Sequence, residues 1–507
     1  MVKIVPAGVR VAAALLAATP AAAQRPRTFA DLRGFDRWVA ETMAAWHVPG
    51  LAIGAVRDGQ VVIAKGYGLR DVETQLPVTQ RTLMGIGSNS KSFTVVLMGM
   101  LVDEKKIAWD VPVRTYLSDF ELKDEFATRE MTPRDLVTHR SGLPRHDNLW
   151  YGRPFSRAEL YRRLRYLEPT FSFRSRYQYQ NLMFMTAGYL VERVSGRGWD
   201  ELIRERIFNP LGMIRSNTTI RESPNSGDFA FPYTWRGDSL IRLPFRNLDA
   251  IGPAGSINSS VDEMLKYVQF RLDRGVAGDR RLLSEDNERQ MQMPQMVTLA
   301  PVDFPELGHP AYGMGLGVST YRGRKIVSHG GGIDGFISAM SWLPEERIGI
   351  VVLSNLSGQN PVPTVVMRTL YDRLLEVPPA DWVARQKKAD ADQAERQAKQ
   401  VAVRQAERQP GTSPSHPLAD YVGSYEHAGY GTVRVSLQGG ALSLALEPHV
   451  VRLEHFHFDV WEIRDPGGAV PFGGRLRFLS NLKGEIDRVA VPLEPAGADI
   501  IFARPVQ

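Results

Sequence analysis

The pattern that most restricts this chain is a pair of strand-like hairpins at opposite ends of a long helical stretch. Residues 51–56 and 61–67 are apolar runs around Asp58-Gly59, a turn pair that tolerates positive φ. Residues 335–343 and 348–354 repeat the pattern far downstream. Helical spacing flanks both: Leu32, Phe35, Trp38, Val39, Met43 and Trp46 before the first, and Val365, Val366, Leu370, Leu374 and Leu375 after the second. One sheet completed by both ends of the segment follows, with roughly 82–320 as a helical insertion. The fold class expected is α/β (α+β), an antiparallel sheet flanked by helices. The cleft between sheet and insertion is where a site is expected.

The chain of 507 residues divides further. Residues 1–23 hold Lys3 and Arg10, then a short apolar run ending Ala21-Ala22-Ala23, the pattern of a cleavable export signal with Gln24 as the mature start. Membrane spanning needs about 20 apolar residues, and this run contains Pro20 and falls short. A periplasmic or secreted protein is expected, with no transmembrane segment in the mature form. Residues 24–378 read as the large mixed domain. Residues 379–416 are Ala-, Gln- and charge-rich, a solvated helical linker closed by Pro410-Gly411-Thr412-Ser413-Pro414. Residues 417–507 alternate: Val433, Val435 and Leu437, a Gly439-Gly440 turn, then Leu442, Leu444 and Leu446, with further strand-like runs at 451–463, 475–480 and 487–492. A small β-barrel or sandwich is expected there.

Composition excludes chemistries. No cysteine means no thiolate nucleophile, iron–sulfur cluster or Cys-type zinc site. The net charge of +6 is small for this length and makes no case for nucleic acid. His455 and His457, with His449 nearby, alternate with Phe456 and Phe458, which reads as a polar strand face opposite Phe456, Phe458 and Val460 rather than a metal site. No cofactor is expected. The run from Gly85 to Ser92 lacks the second glycine of a phosphate-binding loop, and no G-x-S-x-G elbow occurs.

Three motifs carry the chemistry. Ser88-Asn89-Ser90-Lys91 precedes an apolar run from Phe93 to Val102. Ser88 and Lys91 are one helical turn apart, and a desolvated Lys can act as base for a Ser hydroxyl. Tyr179-Gln180-Asn181 offers a phenol as proton shuttle, if a neighbouring cation lowers its pKa, and an amide to orient Lys91 or a substrate carbonyl. His329-Gly330-Gly331, with Gly332 next, offers an imidazole and a glycine run that lets a substrate backbone approach the strand edge. Ser480-Asn481-Leu482-Lys483 repeats the first pattern in a hairpin turn, without catalytic context. The ordered set is therefore the signal.

That ordered set resembles the penicillin-recognising serine hydrolases: class C β-lactamases, D-alanyl-D-alanine carboxypeptidases, D-aminopeptidases and related esterases. Thr138-His139-Arg140-Ser141-Gly142-Leu143-Pro144 resembles the family's T-H-T-S-G-L-P loop, and Gly252-Pro253-Ala254-Gly255-Ser256 its P-A-G-G turn. The likeness covers about 28–375, and the tail resembles an appended lipocalin-like domain. The resemblance implies Ser88 as acylated nucleophile and Lys91 with Tyr179 as base and proton relay. It implies Asn181 as positioner, His329 where β-lactamases carry Lys, and the Gly332 and Ser88 N–H groups as oxyanion hole. Arg140 and Ser256 depart from the family's Thr and Gly. The expected activity is hydrolysis of peptides with D- or non-standard residues, peptidoglycan-type or linearised cyclic peptides such as linear microcystin. A carboxylesterase with incidental β-lactamase activity is the runner-up, and a non-catalytic penicillin- or peptide-binding protein the rival from another class. The expected partners are a small peptide, ester or β-lactam substrate, with room for a homo-oligomer.

Overall fold

The computed structural model describes residues 32–465, 472–494 and 497–505. The proposed export signal, residues 1–23, lies outside them. The central element is a nine-stranded sheet whose strands pair antiparallel throughout. The first hairpin, Gly50–Arg57 with Gln60–Asp71, joins the downstream one, Phe336–Leu343 with Ile348–Ser354, through the pairing of Ile53 with Val352. Asp58 and Gly59 both take positive φ, 49° and 81°, as their turn requires.

Both sheet faces are covered, and alternation sorts the side chains. Leu51, Ile53, Ile350 and Val352 face one core, with the helices Phe35–Ala45 and Val362–Leu374. Ala52, Val56, Val351 and Leu353 face the other, with the inserted helices. The insertion ends earlier than expected. Met296–Val297, Ala311–Tyr312 and Gly317–Tyr321 already belong to the sheet, as its far edge. These strands are too short to give a period-2 signal in sequence.

The helix Ser90–Asp103 runs through the middle of the inserted layer, buried on all sides through Leu101. Its buried polar groups are partnered. Thr94 Oγ1 donates to the Pro253 carbonyl at 2.7 Å, and Arg271 holds Glu288 at 2.9 Å while donating to Ser92 Oγ at 3.0 Å. The helix cannot slide without stranding these groups.

The C-terminal part is a closed eight-stranded barrel from Gly423–His427 to Ile500–Ala503, sealed by Glu426 opposite Ala503. Val433, Val435, Leu442, Leu444 and Leu446 are buried, whereas Leu437 is at the exposed end of its strand. The run 451–463 is two strands, His449–His457 and Val460–Arg464, turning at Phe458. A bulge between His455 and His457 breaks the alternation. It buries Phe456 and leaves Phe458 half exposed at the turn, so Phe458 does not share the apolar face. Among the described residues no group of three His, Asp or Glu could hold a metal, and no helix is long and apolar enough to cross a membrane.

The helix Trp382–Ala406 bridges the two parts. Its start is tied down by Trp46 Nε1 donating to Asp390 at 2.9 Å and by Arg385 with Glu306 at 2.8 Å. Beyond its end, Arg408 donates to barrel carbonyls at His455 and Phe456.

Candidate active site

Ser88 sits in a single 3-10 turn, Gly87–Asn89, that feeds the buried helix. The turn is packed against the strand Arg324–Ile333. Gly87 has φ 52°, and a Cβ there would lie 2.8 Å from Gly332 N. A Cβ on Gly331 would lie 1.9 Å from the Ile86 carbonyl oxygen. Gly331 therefore accommodates the chain's own turn at Ser88 rather than a substrate backbone. Ser338 on the next strand clamps that turn, donating to the Ile86 carbonyl at 2.8 Å and accepting from Asn89 at 2.7 Å.

Lys91 is fully buried, and its amine has three polar neighbours: Ser88 Oγ at 2.9 Å, Asn181 Oδ1 at 2.8 Å and the Ala254 carbonyl at 2.8 Å. Two of these accept only. A neutral amine has two N–H donors and one lone pair, so it satisfies both and accepts the Ser88 O–H. Burial holds the amine well below the usual lysine range, and Arg145 adds to this while Asp147 opposes it. Asn181 is held in the needed orientation because its amide donates to Asp147 Oδ1 at 2.9 Å.

Tyr179 completes the centre, its phenol beside the Ser88 hydroxyl. Lys91 and Arg145 lie over its ring, 4.7 and 4.8 Å from the centroid. The condition set for a proton shuttle, a cation that lowers the phenol's pKa, is not met by these neighbours. Burial dominates and pushes the phenol above its ordinary value, so Tyr179 is a neutral donor beside a neutral amine. The ring of His139 fixes its place, tilted 33° with its centroid 4.1 Å away and accepting the Gln180 N–H on Nδ1 at 2.9 Å. Arg140, which departs from the family pattern, donates to the buried Asp135 at 2.6 Å and so anchors this loop.

His329 is not among the residues that line the cleft with Ser88. Its Nδ1 donates to the Gly330 carbonyl at 2.6 Å, and its Nε2 accepts from the Tyr312 hydroxyl at 3.0 Å. Burial, then Lys91, pushes its pKa down to about 3, so it is a neutral ring with both nitrogens engaged. Gly332 lines the cleft together with Ser88.

The cleft encloses about 440 Å³, lined by Ser88, Asn181, Trp150, Leu248, Ile251, Ile333 and Ile337. It also contains two ion pairs that sequence reasoning missed: Arg145 with Asp147 at 2.6 Å and Arg246 with Asp334 at 2.6 Å. Nothing local in the sequence marks these four residues, since they reach the site from three separate segments, with Arg145 and Asp147 on one loop. Ser480 and Lys483, the second S-x-x-K match, lie at the hairpin turn between Gly474–Ser480 and Ile486–Val491 and do not line the cleft.

Three histidines, His139 and His146 buried and His329 partly buried, give a pH dependence of stability. His139 is held well below its ordinary pKa, His146 down to about 4 and His329 to about 3, in each case first by burial. In the unfolded chain each titrates near 6.5. Below that pH the unfolded state binds more protons, so stability falls as pH drops from 6.5 towards 4. Urea midpoints at pH 7.5, 6 and 5 are expected to decline in that order; a flat series would contradict neutral burial.

Comparison with known proteins places these features in context. The Beta-lactamase family model matches residues 35–373, and a domain of unknown function, DUF3471, matches 407–504. An unguisins hydrolase of Aspergillus campestris is 32% identical over 422 residues, 78% of this chain and 76% of that protein. A D-aminopeptidase of Brucella anthropi is 28% identical over 341 residues, 65% of this chain and 60% of that protein. The octameric penicillin-binding protein homologue from Pyrococcus abyssi superposes with a TM-score of 0.61 at 25% identity, over 93% of this chain and 100% of that one.

Proposed function

This chain belongs to the Beta-lactamase family and is a serine hydrolase of that fold, and we propose that it cleaves amide bonds of peptides containing D- or non-standard residues through an acyl-enzyme on Ser88. The observation that carries the chemistry is the buried Lys91 amine 2.9 Å from Ser88 Oγ, with its two N–H groups spent on Asn181 and Ala254. Lys91 takes the Ser88 proton as Oγ adds to the carbonyl carbon. The Ser88 and Gly332 N–H groups receive the oxyanion. The proton passes by Lys91 and Tyr179 to the leaving amine, and water then adds to the acyl carbon, giving its proton to the same pair and freeing Ser88. The sum is amide plus water to carboxylic acid plus amine.

The substrate class rests on the relatives, named a D-aminopeptidase and an unguisins hydrolase, and on a cleft whose apolar walls suit a hydrophobic side chain. We further propose export by the segment 1–23, with Gln24 as the mature start, and assembly as a homo-oligomer. A hydrolysis panel tests the substrate: D-amino-acid amides and D-residue peptides, their L-counterparts, short-chain esters and a chromogenic cephalosporin. The D-peptides and amides are expected to give the highest kcat/KM. Esters outrunning them by more than tenfold would assign a carboxylesterase instead.

A further inference from the structure

The barrel contacts the loop that flanks Ser88 and Lys91, and His146 lies at that contact. His146 lies between Arg145 and Asp147, is buried, and holds φ 48°, a left-handed backbone that a non-glycine residue adopts only when its surroundings impose it. Two of its surroundings come from the barrel. Its backbone N–H donates to Glu494 Oε2, and its Nδ1 pairs with the Tyr430 hydroxyl at 2.8 Å. The same loop is held twice more: Asn148 donates to the Leu493 carbonyl at 2.6 Å and Arg153 to the Tyr430 carbonyl at 2.8 Å.

What this loop carries bears on the chemistry. Asp147 accepts from Asn181 and from Trp150 Nε1, each at 2.9 Å, and Arg145 covers the Tyr179 ring. Asn181 in turn orients Lys91. We propose that the C-terminal barrel sets the acylation geometry by clamping His146, so that Glu494 and Tyr430 are positioning residues for Lys91 although they lie more than 280 residues away in sequence. The chain of contact is continuous: barrel to His146, His146 to Asp147, Asp147 to Asn181, Asn181 to Lys91. This inference rests on Lys91 acting as the base at Ser88. A misplacement of about 1 Å at such a centre costs up to about 100-fold in rate.

The test compares full-length Glu494→Ala/Tyr430→Phe with Glu494→Gln and with Arg475→Met. The last breaks a barrel contact to the bridging helix at Glu407 and touches nothing in the cleft. Hydrogen–deuterium exchange over residues 145–153 and 181 is read beside kcat and KM on a D-amino-acid amide. The double variant is expected to exchange faster there and to lose about tenfold to 100-fold in kcat with KM within threefold. Glu494→Gln, whose amide oxygen still accepts the His146 N–H, recovers most of the rate, and Arg475→Met stays within twofold. Unchanged exchange, an unchanged kcat despite faster exchange, or an equal loss in Arg475→Met would each overturn the clamp. The exchange measurement stands without turnover: a parent protein that is inert, with faster exchange only in the double variant, would support the clamp and fault Lys91 and Ser88 as acylation machinery instead.

Discussion

Ser88→Ala is expected to lower kcat/KM on every amide and ester substrate by about 10⁴-fold or more while leaving the melting temperature unchanged. The size of the effect follows from the neighbours. Ser90 and Ser92 lie on the same helix, yet neither can replace Ser88. Ser90 Oγ donates to the Gly87 carbonyl at 2.7 Å and accepts from Ile257 N at 3.1 Å, and Ser92 Oγ is held by Tyr267 and Arg271. Only Ser88 presents its hydroxyl to both the Lys91 amine and the cleft. The fold is indifferent to the change because Ser88 is partly exposed at the cleft floor and its turn is held by backbone contacts and Ser338. Steady-state assays with a thermal melt on the same preparation check both halves. Residual hydrolysis above about one part in a thousand, with the fold intact, would require another nucleophile.

Lys91→Met is expected to cost about 10²–10⁴-fold in kcat/KM, the range for removing a general base. Met keeps the buried stem and removes the amine. The Asn181 and Ala254 oxygens lose a donor, so a modest loss of stability accompanies the change, about 1–3 kcal/mol per stranded acceptor. The pH profile separates the two effects. Because burial holds Lys91 well below the ordinary lysine range, the parent enzyme should gain activity as pH rises through a limb far below 10.5 and stay active beyond it. That limb belongs to Lys91: His329 remains neutral above about pH 4, and Tyr179 keeps its proton because burial raises its pKa. In Lys91→Met the limb should vanish with the rate, and Ser88→Ala/Lys91→Met should be no slower than Ser88→Ala alone, since the two act as one unit. An additive loss in the double variant, or a limb that survives in Lys91→Met, would place the base elsewhere.

Much of the fold was legible because its signals are local. Asp58-Gly59 between two apolar runs, and alternation from Val433 to Leu446, each report a period that one element satisfies alone. The helix after Ser88-Asn89-Ser90-Lys91 was legible for the same reason, since the apolar run from Phe93 to Val102, interrupted by Thr94 and Gly99, has the length of a buried helix. The misses have a common physical cause. Met296–Val297 and Ala311–Tyr312 join the sheet through pairing, with too few residues to show a period. Phe458 left its expected face because a bulge reset the alternation. The direction of the Tyr179 shift depended on burial against nearby cations, a balance set only by packing. Arg145, Asp147, Arg246 and Asp334 reach the cleft from loops, and the Glu494 contact to His146 spans 348 positions, a distance at which no local pattern survives.

Acylation of Ser88 is tested most directly by trapping. The full-length protein is treated with a fluorophosphonate and, separately, with an activated ester of a D-amino acid, quenched in acid, digested with trypsin and mapped by mass spectrometry. One adduct per chain is expected, in the peptide of residues 82–91 and on Ser88 rather than Ser90, absent from Ser88→Ala and slowed in Lys91→Met. An unmodified Ser88 in a protein that turns over substrate, or a stoichiometric adduct on any other residue, would contradict acylation of Ser88.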